Sequence, residues 1–196
     1  MSLITTTEDG VRVVTLNRPE VHNAFDDAVI AALTAAYAEA IADPAVGAIL
    51  LKAEGKSFCA GGDLNWMRRM ASYSHEENLD DAGKLAALMR TIDLSPKPTL
   101  VRVHASAFAG ATGLIAASDI VVAVPEAEFA VTEVKIGLIP AVISPYLSRP
   151  WGRGSRGAIS SPPSASPPPP LWRSAWCTRW CRPTNSTPPS PAISRP

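Results

Sequence analysis

Residues 56–67 read KSFCAGGDLNWM. Two adjacent glycines, Gly61 and Gly62, stand before a carboxylate, Asp63, and a helix-like segment. They follow an apolar run, residues 46–51, that reads as a buried strand. Neighbouring glycines let a backbone approach a ligand closely and aim its N–H groups at one point. Such donors suit an oxyanion better than a metal, because no second or third ligand-type side chain is near. A plain strand-to-helix turn would use the same residues. A second stretch, HASAFAGATGLIAASDI over residues 104–120, has the same order after a strand at 99–103. There Ala109-Gly110-Ala111 opens a short helix of small residues. A helix start offers free N–H groups and a partial positive charge. Two such turns, each giving one N–H, could converge on one carbonyl oxygen. Glu133 lies in a third loop, VTEVKIGLIP, as a lone acid among Val131, Val134 and Ile136. Taken alone, it reads as a solvated loop acid; desolvated by those neighbours, its pKa would rise, which suits proton transfer near neutral pH.

Other candidates read as structural. Asp63 starts a helix and suits a cap. Asp119 sits where a strand begins. His104 has no Ser-His-Asp spacing around it and reads as a satisfied core histidine. Phe58 and Trp66 pack along a ligand path or in the core. No metal cluster, P-loop or dinucleotide fingerprint is present.

The elements that must position these residues alternate between strand and helix. Residues 11–16 are β-rich, with 3–7 as hairpin partner across Asp9-Gly10. Residues 23–42 predict a helix, since Ile30, Leu33, Tyr37 and Ile41 recur at three- and four-residue steps. Asp43-Pro44 ends it. Residues 46–53 predict a strand that is apolar on both faces, as in a covered parallel sheet. Helices follow at 65–71 and 75–94. In the second, Leu79, Ala82, Leu85, Leu88, Met89 and Ile92 form one apolar stripe, read as core packing. Pro96 and Pro98 break the chain before the strand at 99–103. Short strands follow at 120–124 and 128–131. The alternation argues for the α/β class.

The 196 residues suit one domain with an appendage, and 46% apolar content can build a core. The zero net charge hides a split. Residues 150–196 hold six Arg and no acid, leaving 12 Lys and Arg against 18 Asp and Glu in residues 1–149. The first 15 residues lack a basic region and a long apolar run, so no leader is expected. No apolar run reaches 18 residues, so no membrane span is expected. Three unevenly placed cysteines, Cys59, Cys177 and Cys181, make no disulfide framework, and a reducing cytoplasm is the expected compartment.

FCAGGDL, AFAGATGLIAASDI and EFAVTEVKIGLIPAVISPYLSR, with LNRPEVHNAF near the start, resemble the enoyl-CoA hydratase/isomerase family, the crotonases, over about residues 3–149. DLNWMRRM, NLDDA and IGLIPAVISPY are similar to bacterial 3-methylglutaconyl-CoA hydratases of leucine breakdown. Isohexenylglutaconyl-CoA hydratases are nearly as similar. The resemblance implies a spiral of ββα units. It implies Gly62 and Gly110 N–H as the two oxyanion donors and Glu133 as the acid/base at the α carbon. It places His22, Ala24, Ala60, Gly62, Asp63, Leu64 and Gly110 along the coenzyme A thioester. Coenzyme A is then part of the substrate, with no separate cofactor, metal, nucleic acid or membrane. A homotrimer or hexamer is the family's assembly. One departure concerns residue 113, where many hydratases carry a second glutamate and this chain has Gly113. Hydration is favoured over 3-enoyl to 2-enoyl isomerisation, and both are weighed against a non-catalytic chain, either a frame-shifted remnant or a coenzyme A thioester-binding protein with a Pro-rich interaction arm.

Residues 150–196 break the pattern, with 12 of the 19 prolines and four of the five tryptophans. A Pro-rich arm or a nucleic-acid contact would use such a composition. The genetic code suggests another origin. Codons for GAISSPPSAS can be chosen so that a one-base shift reads RYFLTAERF, and PLWRSAWCTRWCRPTNSTP likewise yields ALAIGLVHEVVPADELDA. Both resemble the crotonase continuation. The expectation is a crotonase-like core at 1–149, a one-base slip near codon 149 or 150, and a disordered tail lacking the family's C-terminal helices. The pair Cys177 and Cys181 would be an accident of frame.

Overall fold

The computed structural model describes residues 1–147. The expectations for residues 150–196, including Cys177 and Cys181, lie outside the described residues. Strand β1, Leu3–Glu8, pairs antiparallel with β2, Val11–Leu16, in the register Leu3 opposite Leu16. Asp9 and Gly10 both take positive φ, 50° and 76°, as a tight two-residue hairpin requires. The chain then forms α1 (Asp27–Ala42), β3 (Ala48–Ala53), α2 (Leu64–Met70), α3 (His75–Asp93), β4 (Thr99–Val103), β5 (Ala107–Phe108), α4 (Gly110–Ala116), β6 (Ile120–Ala123), β7 (Phe129–Ala130) and α5 (Ser144–Leu147). The α/β expectation holds.

The main sheet has the order β1-β2-β3-β4-β6, parallel from β2 onward. The register aligns Val14, Leu51, Val101 and Val121 in one row across four strands, each 5% exposed or less. That face packs with α1, through Ile30, Leu33 and Tyr37, and α3, through Leu88, Met89 and Ile92, into one core. A second, smaller layer positions the site. In it β5 runs parallel to β7, and single bridges add Cys59 beside Ala107 and Phe25 beside Gly62. Four short extended pieces thus lie side by side, and three of them lead into α-helices, at Asp26, at Asp63 and at Gly110.

Several boundaries differ from the sequence reading. The helix predicted from residue 23 begins at Asp27, because His22 and Asn23 take left-handed φ of 53° and 54° and the Asp26 side chain caps Val29 N–H at 2.9 Å. The strand predicted at 46–53 starts at Ala48 and alternates in burial. Ala48, Leu50 and Lys52 face a side that the described residues cover only in part. In α3 the stripe narrows to its C-terminal half, and Leu79 is 65% exposed. The other half is held by Trp66, whose Nε1–H donates to the buried Asp81 carboxylate at 2.9 Å. A capping box between Ser74 and Glu77 starts the helix.

Candidate active site

The first turn is built against Phe25. Phe25 N–H donates to Gly61 O, and Phe25 O accepts from Asp63 N–H, both at 2.9 Å. Successive peptides of an extended chain point to opposite sides, so Gly62 N–H faces away from Phe25. It has no partner among the described residues. Gly61 must be glycine. Its φ is +93°, and a Cβ there would lie 2.7 Å from Ala109 Cβ and 2.9 Å from Phe108 O. At Gly62 a Cβ would make only ordinary contacts, 3.5 Å to Met67 Sδ and 3.6 Å to Trp66. The glycine pair therefore divides its work: Gly61 permits the close approach, and Gly62 presents the donor.

The second turn is strained. Ala109 takes φ 51° and ψ −130°, a conformation that residues with a Cβ rarely adopt. Three hydrogen bonds hold it there. Ala109 N–H donates to Ala130 O at 2.8 Å, and Ala109 O accepts from Thr112 N–H at 2.9 Å and Thr112 Oγ1–H at 2.6 Å. The next N–H, that of Gly110, is the first of α4 and has no partner among the described residues. A Cβ on Gly61 would sit 3.5 Å from Gly110 N. The two turns expected to converge do lie against each other.

Glu133 opens the 3-10 turn Glu133–Ile136, three residues after the Ala130 that holds Ala109. Its surroundings differ from the sequence expectation. Val131 is buried, but Val134 and Ile136 are 39% and 57% exposed. The desolvation acts at the carboxyl tip instead. Among the described residues, only Glu133 Oε2 and Tyr37 Oη are buried side-chain polar atoms without a partner. Burial raises the Glu133 pKa above its ordinary value of 4.5, against a smaller opposing effect of its own backbone N–H.

The remaining candidates fall around these turns. His22 is exposed, with Nδ1 3.0 Å from Ser57 Oγ, and its carbonyl accepts from Ala60 N–H at 2.9 Å. Ala24 is buried and Leu64 is 64% exposed. Asp63 caps α2 through Asn65 N–H and Trp66 N–H and pairs with Arg18. Burial alone would raise its pKa; the two N–H bonds and the Arg18 guanidinium outweigh it and hold the carboxyl below the usual range. Asp119 accepts from Thr99 N–H and Thr99 Oγ1–H, both at 2.9 Å, and ties the start of β6 to β4. His104 is satisfied by Gly55 O at 2.9 Å but is only half-buried, because it lies beyond the end of β4. Phe58 and Trp66 belong to the core. Cys59 Sγ–H donates to Asn23 O at 3.0 Å, and burial pushes the thiol up to about 12, so it is an inert packing group. At Gly113 a Cβ would run into Ile143, with Ile143 Cβ at 2.8 Å and Met89 Cε at 3.1 Å. A second carboxylate has no room there in this packing.

Two positioning residues were not legible in the sequence. Arg18 Nη1–H donates to Ala24 O (2.8 Å) and Asp26 Oδ2 (3.0 Å), and its Nη2–H to Asp63 Oδ2 (3.1 Å). Asn23 accepts from Arg18 N–H and donates to Glu54 O and Ser57 O. Their partners lie up to 45 residues away, so no local spacing announces them.

The Glu133 carboxyl carries a testable cost. With its folded pKa raised, the native state binds the proton more tightly than the unfolded chain, so stability falls as pH rises through that window. Glu133→Gln should raise Tm at pH 8, and the gain should vanish below about pH 4, where both states are protonated. Thermal melts across pH check this. An unchanged Tm at pH 8 contradicts it.

Residues 6–157 match the family model for enoyl-CoA hydratase/isomerase. An enoyl-CoA hydratase from Shewanella pealeana of known structure is 46% identical, with a TM-score of 0.79 over 81% of this chain and 60% of that one. An enoyl-CoA hydratase of Alternaria alternata is 36% identical over 147 residues, covering 73% of this chain and 46% of that protein. A 1,2-epoxyphenylacetyl-CoA isomerase of Escherichia coli K12 is 33% identical over 144 residues, covering 68% and 51%. The chain spans about half the length of the curated relatives it matches. The fold is thus shared with proteins of the crotonase fold, and the chain belongs to the enoyl-CoA hydratase/isomerase family.

Proposed function

We propose that this chain carries an enoyl-CoA hydratase site. Gly62 and Gly110 donate their N–H groups to the thioester oxygen, and Glu133 moves the proton. One observation carries the reading: two unpartnered N–H groups on adjoining turns, together with one buried, unpartnered carboxyl oxygen. Water's oxygen bonds to the β carbon as its proton passes to the Glu133 carboxylate. The C=C electron pair moves to the thioester oxygen, giving an enolate held by the two N–H groups. The enolate then regenerates the carbonyl as Glu133 returns the proton to the α carbon. One carboxyl group serves both steps. Loss of a single preorganised donor costs about 2.7–4 kcal/mol in comparable sites.

Coenzyme A enters as part of the substrate, and no other cofactor is called for. His22, Ala24, Ala60, Asp63 and Leu64 would border its path, with Leu64 offering free apolar surface and Asp63 acting through the α2 cap. We propose 3-methylglutaconyl-CoA, or a related branched thioester, as substrate, in cytoplasmic leucine breakdown. Its free carboxylate would order the water for which residue 113 has no second protein carboxylate. A trimer or hexamer is the proposed assembly of a full-length protein.

The single acid also favours a second reading, 3-enoyl to 2-enoyl isomerisation. Glu133 would then take a proton from the α carbon and return it at the γ carbon. A third reading concerns the chain itself: a core at 1–149 followed by a frame-slipped tail would leave the acyl pocket uncovered and the site idle. Sequencing codons 145–155 together with an intact mass tests it. A real slip gives 20.7 kDa and little turnover. An undisturbed frame with a larger mass refutes the slip.

The activity test supplies 3-methylglutaconyl-CoA and a 3-enoyl-CoA in parallel. Hydration of the first is expected, and Glu133→Gln should lower kcat at least about 100-fold. Double-bond migration without hydration selects the isomerase reading. Full hydratase turnover in Glu133→Gln removes Glu133 from the mechanism.

A further inference from the structure

Phe25 touches both turns at once. Its main chain bonds Gly61 O and Asp63 N–H, the groups on either side of Gly62. The tip of its ring points end-on at the α carbon of Gly110, where a Cβ would be 2.6 Å from Cζ and 3.5 Å from both Cε atoms. The ring also packs against Trp66, with centroids 6.4 Å apart, and the residue is 2% exposed. Arg18 fixes it from both neighbours, bonding Ala24 O before it and Asp26 after it, and reaches Asp63 as well.

We propose that Phe25 is the positioning residue that sets the separation and mutual aim of the Gly62 and Gly110 N–H groups. The inference rests on the reading that these two groups bind the thioester oxygen. Phe25 itself meets no reacting atom. With a smaller side chain at 25, the start of α4 loses its support and Gly110 N–H drifts relative to Gly62 N–H. Hydrogen bonds weaken steeply with misalignment, and catalysis depends on where the developing oxyanion sits. Ground-state affinity, carried by the coenzyme A portion, changes little, so the loss falls on kcat and not on KM.

The experiment uses the full chain and two probes. Butyryl-CoA, which cannot be hydrated, reports the thioester carbonyl stretch by infrared difference spectroscopy. Crotonyl-CoA reports turnover. Wild type should move the bound carbonyl to lower frequency. Phe25→Leu should lose at least half of that shift and drop kcat at least about tenfold, with KM within about twofold. A folded Phe25→Leu protein with the full shift and full kcat overturns the role of Phe25 and leaves the two-donor reading intact. A wild type that binds butyryl-CoA without a carbonyl shift, or fails to bind it, overturns that reading and this inference with it. Should Phe25→Leu not fold, Gly110→Ala pushes the same contact from the other side. A reduced shift there supports the proposal, and an unchanged shift contradicts it.

Discussion

The site depends on two hydrogen bonds between the Phe25 peptide and the backbone of Gly61 and Asp63. They set residues 58–62 as an extended piece between Phe25 and β5 and leave the Gly62 N–H unspent. Each such bond adds only about 1 kcal/mol net, but leaving a buried partner unmade costs about 1–3 kcal/mol. The arrangement is therefore held less by attraction than by the cost of its alternatives. Arg18 reinforces it with a guanidinium divided among Ala24 O, Asp26 and Asp63, and the Asp63 carboxylate in turn starts α2. Through Trp66 and Asp81 the same chain of contacts reaches α3.

Three carboxylates illustrate how the fold spends its polar groups. Asp119 is consumed by Thr99, and Asp63 by a cap and an ion pair. Glu133 alone keeps a buried oxygen without a partner. Stability would favour pairing it, and the proposed proton transfer needs it unpaired. The same tension exists at Ala109, whose backbone strain persists because Ala130 and Thr112 hold its peptide. Local rules are broken at the turn and the carboxyl to which the chemistry is assigned in the proposed function, and satisfied around them.

Much of this was readable from the sequence, for identifiable reasons. Asp9-Gly10 marked its turn because only a few residues accept positive φ. The glycine pair and Ala109-Gly110 marked strand-to-helix turns, and the helical period of α1 marked its core face. What was not readable arises from contacts distant in sequence. The start of α1 moved to Asp27 because Asn23 and Arg18 bind loops elsewhere in the chain. Leu79 stands off the buried row of Asp81, Leu88 and Ile92, and the N-terminal end of that row meets Trp66, from another helix, through Asp81. The isolation of Glu133 was inferred from apolar neighbours in sequence, two of which are exposed; the burial comes from the fold around its carboxyl tip. The exclusion of a side chain at Gly113 by Ile143 is likewise a contact between α4 and a segment thirty residues on.

Hydration and isomerisation share one demand, an enolate stabilised by two N–H groups with a base at the α carbon. Exchange of the α hydrogen of butyryl-CoA in D2O, followed by proton NMR, probes that demand without choosing between the reactions. The account predicts deuterium at the α carbon with the wild-type protein and none above background with Glu133→Gln or Gly110→Pro. Equal exchange in either folded variant, or no exchange in a wild type that binds the thioester, would contradict it.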